Sequence, residues 1–159
     1  MSAILSNSGA RYLFRSDEGK IGAKTWWMGT LLLAIPMIVL TSIWFLVSPY
    51  AHRDISAEPL FNGATFGAYV YLFCYALAIF LIAISHYNLS AKRFRDRGKP
   101  AELAGLLPFV ALMTGAAHWL QPRVADVMGR GWTVGIDITL LALAVWLVIE
   151  LGILQGAKD

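Results

Sequence analysis

Four long apolar stretches, separated by short polar segments, organise this chain. They run from about Thr25 to Ser48, Phe66 to Leu89, Ala101 to Leu120 and Trp132 to Leu154. Crossing a hydrocarbon core as a helix takes about 20 predominantly apolar residues, and each stretch meets that length. Lipid offers backbone polar groups no partner, so spans of this kind form helices. The pattern predicts an all-α integral membrane bundle of four transmembrane helices. It divides into a juxtamembrane segment over 1–24, a transmembrane domain over 25–154 and a short tail over 155–159.

The spans differ in character. Pro36 lies inside the first and predicts a kink, while Trp26 and Trp27 mark its membrane interface. A polar connection with His52, Arg53, Asp54, Glu58, Pro59 and the turn-like Asn62-Gly63 leads to a second span rich in aromatics: Phe66, Tyr69, Tyr71, Phe73, Tyr75, Phe80 and Tyr87. The densest polar segment follows, Ser90-Ala91-Lys92-Arg93-Phe94-Arg95-Asp96-Arg97-Gly98-Lys99-Pro100, and reads as a tight basic hairpin loop. Glu102, Gly105, Pro108 and Gly115 dilute the third span, which is expected to be short or kinked. Pro122, Arg123, Asp126 and Arg130 in the last connection predict one amphipathic interfacial turn.

Composition agrees with lipid as the solvent: 58% of the 159 residues are hydrophobic and 14% charged, against about half and a quarter in soluble domains. Residues 1–23 carry Arg11, Arg15, Asp17, Glu18 and Lys20 and are too polar for a signal-peptide core, so the first span is expected to be retained. A net charge of +3 does not point to nucleic acid. The placement of charge is more telling. Arg11, Arg15, Lys20 and Lys24 precede the first span, Lys92, Arg93, Arg95, Arg97 and Lys99 lie between the second and third, and Lys158 ends the chain. The opposite side holds only Arg53, Arg123 and Arg130. Cytoplasmic loops carry the Lys and Arg excess, so both termini and the basic loop are expected in the cytoplasm.

Two juxtamembrane segments carry a family resemblance. Tyr12-Leu13-Phe14 followed by Gly19-Lys20-Ile21-Gly22-Ala23-Lys24-Thr25-Trp26-Trp27 is similar to a Gly-Arg-Ile element with a basic residue and an aromatic before the first span. Lys92-Arg93-Phe94-Arg95-Asp96-Arg97-Gly98-Lys99 resembles an Arg-Arg-Leu-His-Asp-x-Gly loop between the second and third spans. Order and placement resemble the DUF805 family of small bacterial inner-membrane proteins, which implies a multi-pass protein of the bacterial inner membrane. Arg95 stands where that family has histidine, and Pro100-Ala101-Glu102-Leu103 where it has Ser-Gly-Trp-Trp.

Candidate chemistry is sparse. His86 and His118 fall at opposite ends of their spans and His52 in a loop, so no pair is placed to ligate haem or a metal, and no cofactor is expected. Cys74 excludes an intrachain disulfide and is expected to be a packed thiol. Glycine pairs at dimer-motif spacing, Gly63 with Gly67, Gly131 with Gly135 and Gly152 with Gly156, lie at span edges and read as turns or ordinary packing. No nucleophile-base arrangement or phosphate-binding loop appears, so no enzymatic activity is expected. Asp137 and Glu150 are candidates for an ion path, although 13 residues put them about 20 Å apart near different interfaces, where pairing with Arg130 or a cytoplasmic Lys is the simpler role.

Lys20, Lys24, Lys92, Arg93, Arg95, Asp96, Arg97 and Lys99 form the candidate surface for anionic lipid or partner contact, with Asp96 expected to pair with Arg93, Lys20 or Lys24. The expected function is that of an accessory, assembly or structural subunit of a larger membrane complex, or a homo-oligomer, with a small oligomeric transporter or channel as the alternative. Expected partners are the bilayer, other membrane subunits or a second copy.

Overall fold

A computed structural model describes residues 7–51, 62–121, 124 and 129–156. Secondary structure among them is helical: α1 (Asn7–Arg15), α2 (Ala23–Val47) with a 3-10 turn (Ser48–Ala51), α3 (Gly63–Asp96), a 3-10 turn (Ala101–Gly105) leading into α4 (Leu106–Leu120), and α5 (Gly131–Leu147) continued by a π-helical turn (Val148–Ile153). Four stretches, Ala23–Ala51, Gly63–Asp96, Ala101–Leu120 and Gly131–Ile153, are long and apolar enough to cross a membrane. The fold is all-α with the architecture of a multi-pass membrane protein.

Local chemistry explains where the helices start and stop. α2 continues through Pro36. Asn62 and Gly63 open α3 instead of forming a turn: the Asn62 side chain accepts from the amides of Ala64 at 3.0 Å and Thr65 at 3.4 Å. α3 then runs past Leu89 to Asp96, so most of the segment read as a loop is helix. It ends where Gly98 adopts φ 68°. Gly98 N donates to Arg95 O at 3.1 Å and Lys99 N to Phe94 O at 2.9 Å, the paired bonds of a glycine-terminated helix. The third span is short in its α-helical part, with a five-residue 3-10 turn ahead of it. Pro108 stands in the first turn of α4, where an absent N–H removes no helical bond. The expected positions at 52–61 and most of the expected turn at 121–131 fall outside the described residues.

α2 and α3 form one antiparallel hairpin and α4 and α5 another. In the first, Tyr71 donates to Leu40 O at 2.6 Å, Tyr75 and Thr41 share a hydroxyl bond at 3.1 Å, and Trp44 stacks on both tyrosines. Gly29 lets α2 approach closely, since a Cβ there would lie 2.8 Å from Leu89 Cδ1. Contact between the hairpins concentrates at the end carrying Lys92 to Lys99, where the π-helical turn meets α2 and α3 and the 3-10 turn before α4 leans on α3. The buried apolar core sits at this basic end: Leu13, Ile21, Trp26, Leu89, Phe94, Leu147 and Leu151.

Trp26 and Trp27 face inward at this core. The Trp26 indole is buried and donates to Ser90 Oγ at 3.2 Å, and Trp27 Nε1 donates to Gly152 O at 3.1 Å. They join helices where interface anchoring was expected. Cys74, expected to be packed, is exposed on α3.

Candidate functional site

The basic segment forms a polar clamp. Helical spacing gives the last turns of α3 two working faces, because residues three and four apart share a side. Asn88, Lys92 and Arg95 face α1 and the strand of chain after it, whereas Arg93, Asp96 and Arg97 face the π-helical turn and the residues following it. One helix end therefore holds both terminal regions of the described chain.

On the first face, Lys92 is fully buried, and its ammonium donates to the carbonyls of Tyr12, Leu13 and Ser16. The last carbonyls of α1 have no partner within their own helix, and the helix dipole makes them a site for a cation. Lys92 supplies both needs and also lies 4.8 Å from the centre of the Tyr12 ring. Its three N–H donors match its three carbonyl acceptors, so none remains for a head group or partner. Asn88 Nδ2 adds a bond to Phe14 O at 2.9 Å. Arg95 closes the edge by donating to the backbone and, at 3.1 Å, to the carboxylate of Asp17. That side-chain bond, with help from Asp17's own backbone, holds the Asp17 carboxyl below its ordinary value.

On the second face, Arg93 is 1% exposed, with Nε donating to Leu151 O at 2.8 Å. Its other nitrogens reach Leu154 O and the Asp96 carboxylate, so a planar fork ties the end of the last span to α3. Glu150 sits in the π-helical turn, buried, and accepts from Arg97 Nε at 3.2 Å while pairing with Lys99 Nζ at 2.9 Å. Arg97 also donates to Gln155 O. Close contact is necessary here: a Cβ on Gly152 would lie 2.8 Å from the Trp27 ring, and one on Gly156 2.7 Å from Asp96 Oδ2.

The remaining sequence-derived candidates are dispersed. Lys20 is exposed on the chain between α1 and α2, and Lys24 is exposed in the first turn of α2. Asp96 pairs with Arg93 among its expected partners. Glu150 is held at the basic end by a lysine and an arginine, while Asp137 lies toward the other end, its carboxylate 2.9 Å from His118 Nε2. His86 lies edge-on to Trp26, 6.3 Å between ring centres. Among the described residues no group of three His, Cys, Asp or Glu is placed to hold a metal ion. Sequence reasoning missed α1, whose apolar Leu13 and Phe14 and cationic Arg11 and Arg15 carry the signal of a short amphipathic helix.

A scan of protein-family models, a search of curated proteins and a search of solved structures each find no match to this chain.

Proposed function

We propose that this is a non-enzymatic protein of the bacterial inner membrane, akin to the DUF805 family, with its basic end and both termini in the cytoplasm. It acts through its helices, as an accessory, assembly or structural subunit of a larger membrane complex or as a homo-oligomer. The observation that supports this reading is the distribution of burial. The most apolar 18-residue window of the first span has none of its residues buried, and the corresponding share is 6% in the second and third spans and 17% in the fourth. Helix association in lipid is driven by close packing, so a bundle cored only at one end has room for further helices along its spans. The basic clamp, by contrast, is internally satisfied and serves to hold the two hairpins together at one end.

Purification in a mild detergent, with mass spectrometry of the intact assembly, tests this reading. The expected result is a defined mass above that of the monomer, from a second membrane protein or from further copies. A strictly monomeric protein with no companion would sink it.

The His118–Asp137 pair favours a second reading, an oligomeric transporter or channel, because it is a titratable pair within the spans with about half of each side chain exposed. That reading requires pH-dependent flux in liposomes, lost in Asp137→Asn. Glu150 has a structural role in the clamp that accounts for its position without a path.

A further inference from the structure

The chain carries a second cationic feature that the clamp does not use. An open groove runs beneath α1, lined by Ala10, Arg11, Phe14 and Arg15 from α1, Leu33 from α2 and Ser85 from α3. Arg11 and Arg15 are four residues apart and therefore on one side of α1. Both are exposed, and neither side chain has an ion-pair or hydrogen-bond partner among the described residues. Every other basic residue from 92 to 99 is spent on a carbonyl or a carboxylate.

Depth identifies what belongs there. α1 lies beside Asn88 and Lys92, at the level where Trp26 meets Ser90. Leu33 is seven residues further along α2 than Trp26, so the floor of the groove lies about 10 Å deeper, at a rise of about 1.5 Å per residue. An amphipathic helix in the membrane interface buries its apolar face about 5–10 Å into the boundary between head groups and acyl chains. The groove thus has two guanidiniums and the Phe14 ring at head-group level and, deeper, Leu33 beside Ser85, whose hydroxyl is already bonded to Leu81 O within its own helix. Its polarity changes along its depth as that of a phospholipid does.

We propose that this groove is a binding site for one anionic glycerophospholipid, with its phosphate on Arg11 and Arg15 and the upper part of an acyl chain between Phe14 and Leu33. Guanidiniums suit phosphate because their fork presents paired donors, and among the described residues these two have no competing acceptor. This inference stands apart from the proposed subunit role, since a monomer and an assembled protein would both carry the groove.

The test compares full-length variants in nanodiscs of phosphatidylcholine doped with phosphatidylglycerol, counting retained lipid by native mass spectrometry after detergent transfer. About 1 kcal/mol per basic residue near anionic lipid corresponds to roughly a fivefold change in affinity, so Arg11→Gln with Arg15→Gln should lower phosphatidylglycerol retention about thirtyfold. Lys20→Gln with Lys24→Gln makes the same charge change at the same end and should leave retention within twofold. Leu33→Trp, which fills the groove without altering charge, should also release the lipid, and unchanged helicity by circular dichroism establishes that each variant is folded. Equal losses in the two double variants would mean a diffuse surface attraction and overturn the site. So would retention unaffected by Arg11→Gln with Arg15→Gln, or loss of a bound protein in that variant while lipid is kept.

Discussion

Replacing Arg93 with methionine probes the clamp most directly. Methionine matches the apolar stem of arginine and stops at the position of Nε, so it keeps the stem's packing while removing a guanidinium that serves Leu151 O, Leu154 O and the Asp96 carboxylate. Hydrogen bonds involving a charged group are worth roughly 1.5–3 kcal/mol each, which sets a ceiling of about 9 kcal/mol for three. Water at this end of the bundle rehydrates part of what is exposed, because Asp96 is already 25% accessible. The expected loss is therefore about 3–5 kcal/mol, as when one partner of a buried charged pair is removed. Reversible unfolding in mixed micelles with rising dodecyl sulfate would measure it. Hydrogen exchange should show where the loss falls: amides from 150 to 156 lose protection, while the far end of the α2–α3 hairpin, held by Tyr71 and Tyr75, keeps its own. A cost below about 1 kcal/mol, the range of an exposed surface pair, would refute the reasoning by showing that Arg93 is solvated.

Other perturbations separate the parts of the structure. Glu150→Gln removes the countercharge of Arg97 and Lys99 and should cost about 1.5–3 kcal/mol in the same unfolding assay. Gly152→Ala forces a Cβ against the rigid Trp27 ring and should cost about 1–3 kcal/mol, with a shift in tryptophan emission as the indole leaves the Gly152 carbonyl. Tyr71→Phe deletes one interhelical bond within the spans and should cost only about 0.6 kcal/mol, since the membrane-embedded reference state finds other partners. For Asp17, the folded carboxyl titrates below its ordinary value, so its pairing with Arg95 contributes fully above the unfolded value near pH 3.8 and is lost as pH falls through the folded one. Carboxyl NMR of the protein in detergent should show that depressed titration return toward the ordinary value in Arg95→Gln. Reporter fusions after Asp159 and at Asn62 should place the former in the cytoplasm and the latter outside, and the reverse pattern would overturn the orientation.

Hydropathy and length make four spans legible in the sequence because lipid penalises every unsatisfied backbone group in the same direction. Two local pairings were legible as well: Arg93 is among the three cations expected to pair with Asp96 because it lies close in sequence within a basic run, and Glu150 with a lysine follows from its place at a span end. The extension of α3 from Leu89 to Asp96 was not, because its apolar pattern stops and a run of cations begins. Lys92 and Arg93 are buried only because carbonyls from residues 12–16 and 151–154 are brought to them, which is a tertiary arrangement that residue order does not display. Trp26 and Trp27 illustrate the same limit. An indole at a span end satisfies its N–H equally well against a head group or against another helix, and only the approach of Ser90 and Gly152 decides between them.

The clamp also has a direction in time. Arg93 is synthesised 58 residues before the Leu151 carbonyl that it will hold, and Arg97 a similar interval before Gln155. A nascent chain that has threaded its first three spans thus displays at the membrane surface a cationic stub of Arg93 and Arg97, wet and lacking the carbonyls it will bond, while Lys92 and Arg95 are already held by α1 and Asp17. It is quenched only when the last span arrives and delivers its carbonyls and Glu150. Bare guanidiniums distinguish an unfinished copy from a finished one, so chains stalled or cut before residue 150 should be cleared faster than chains cut after residue 156.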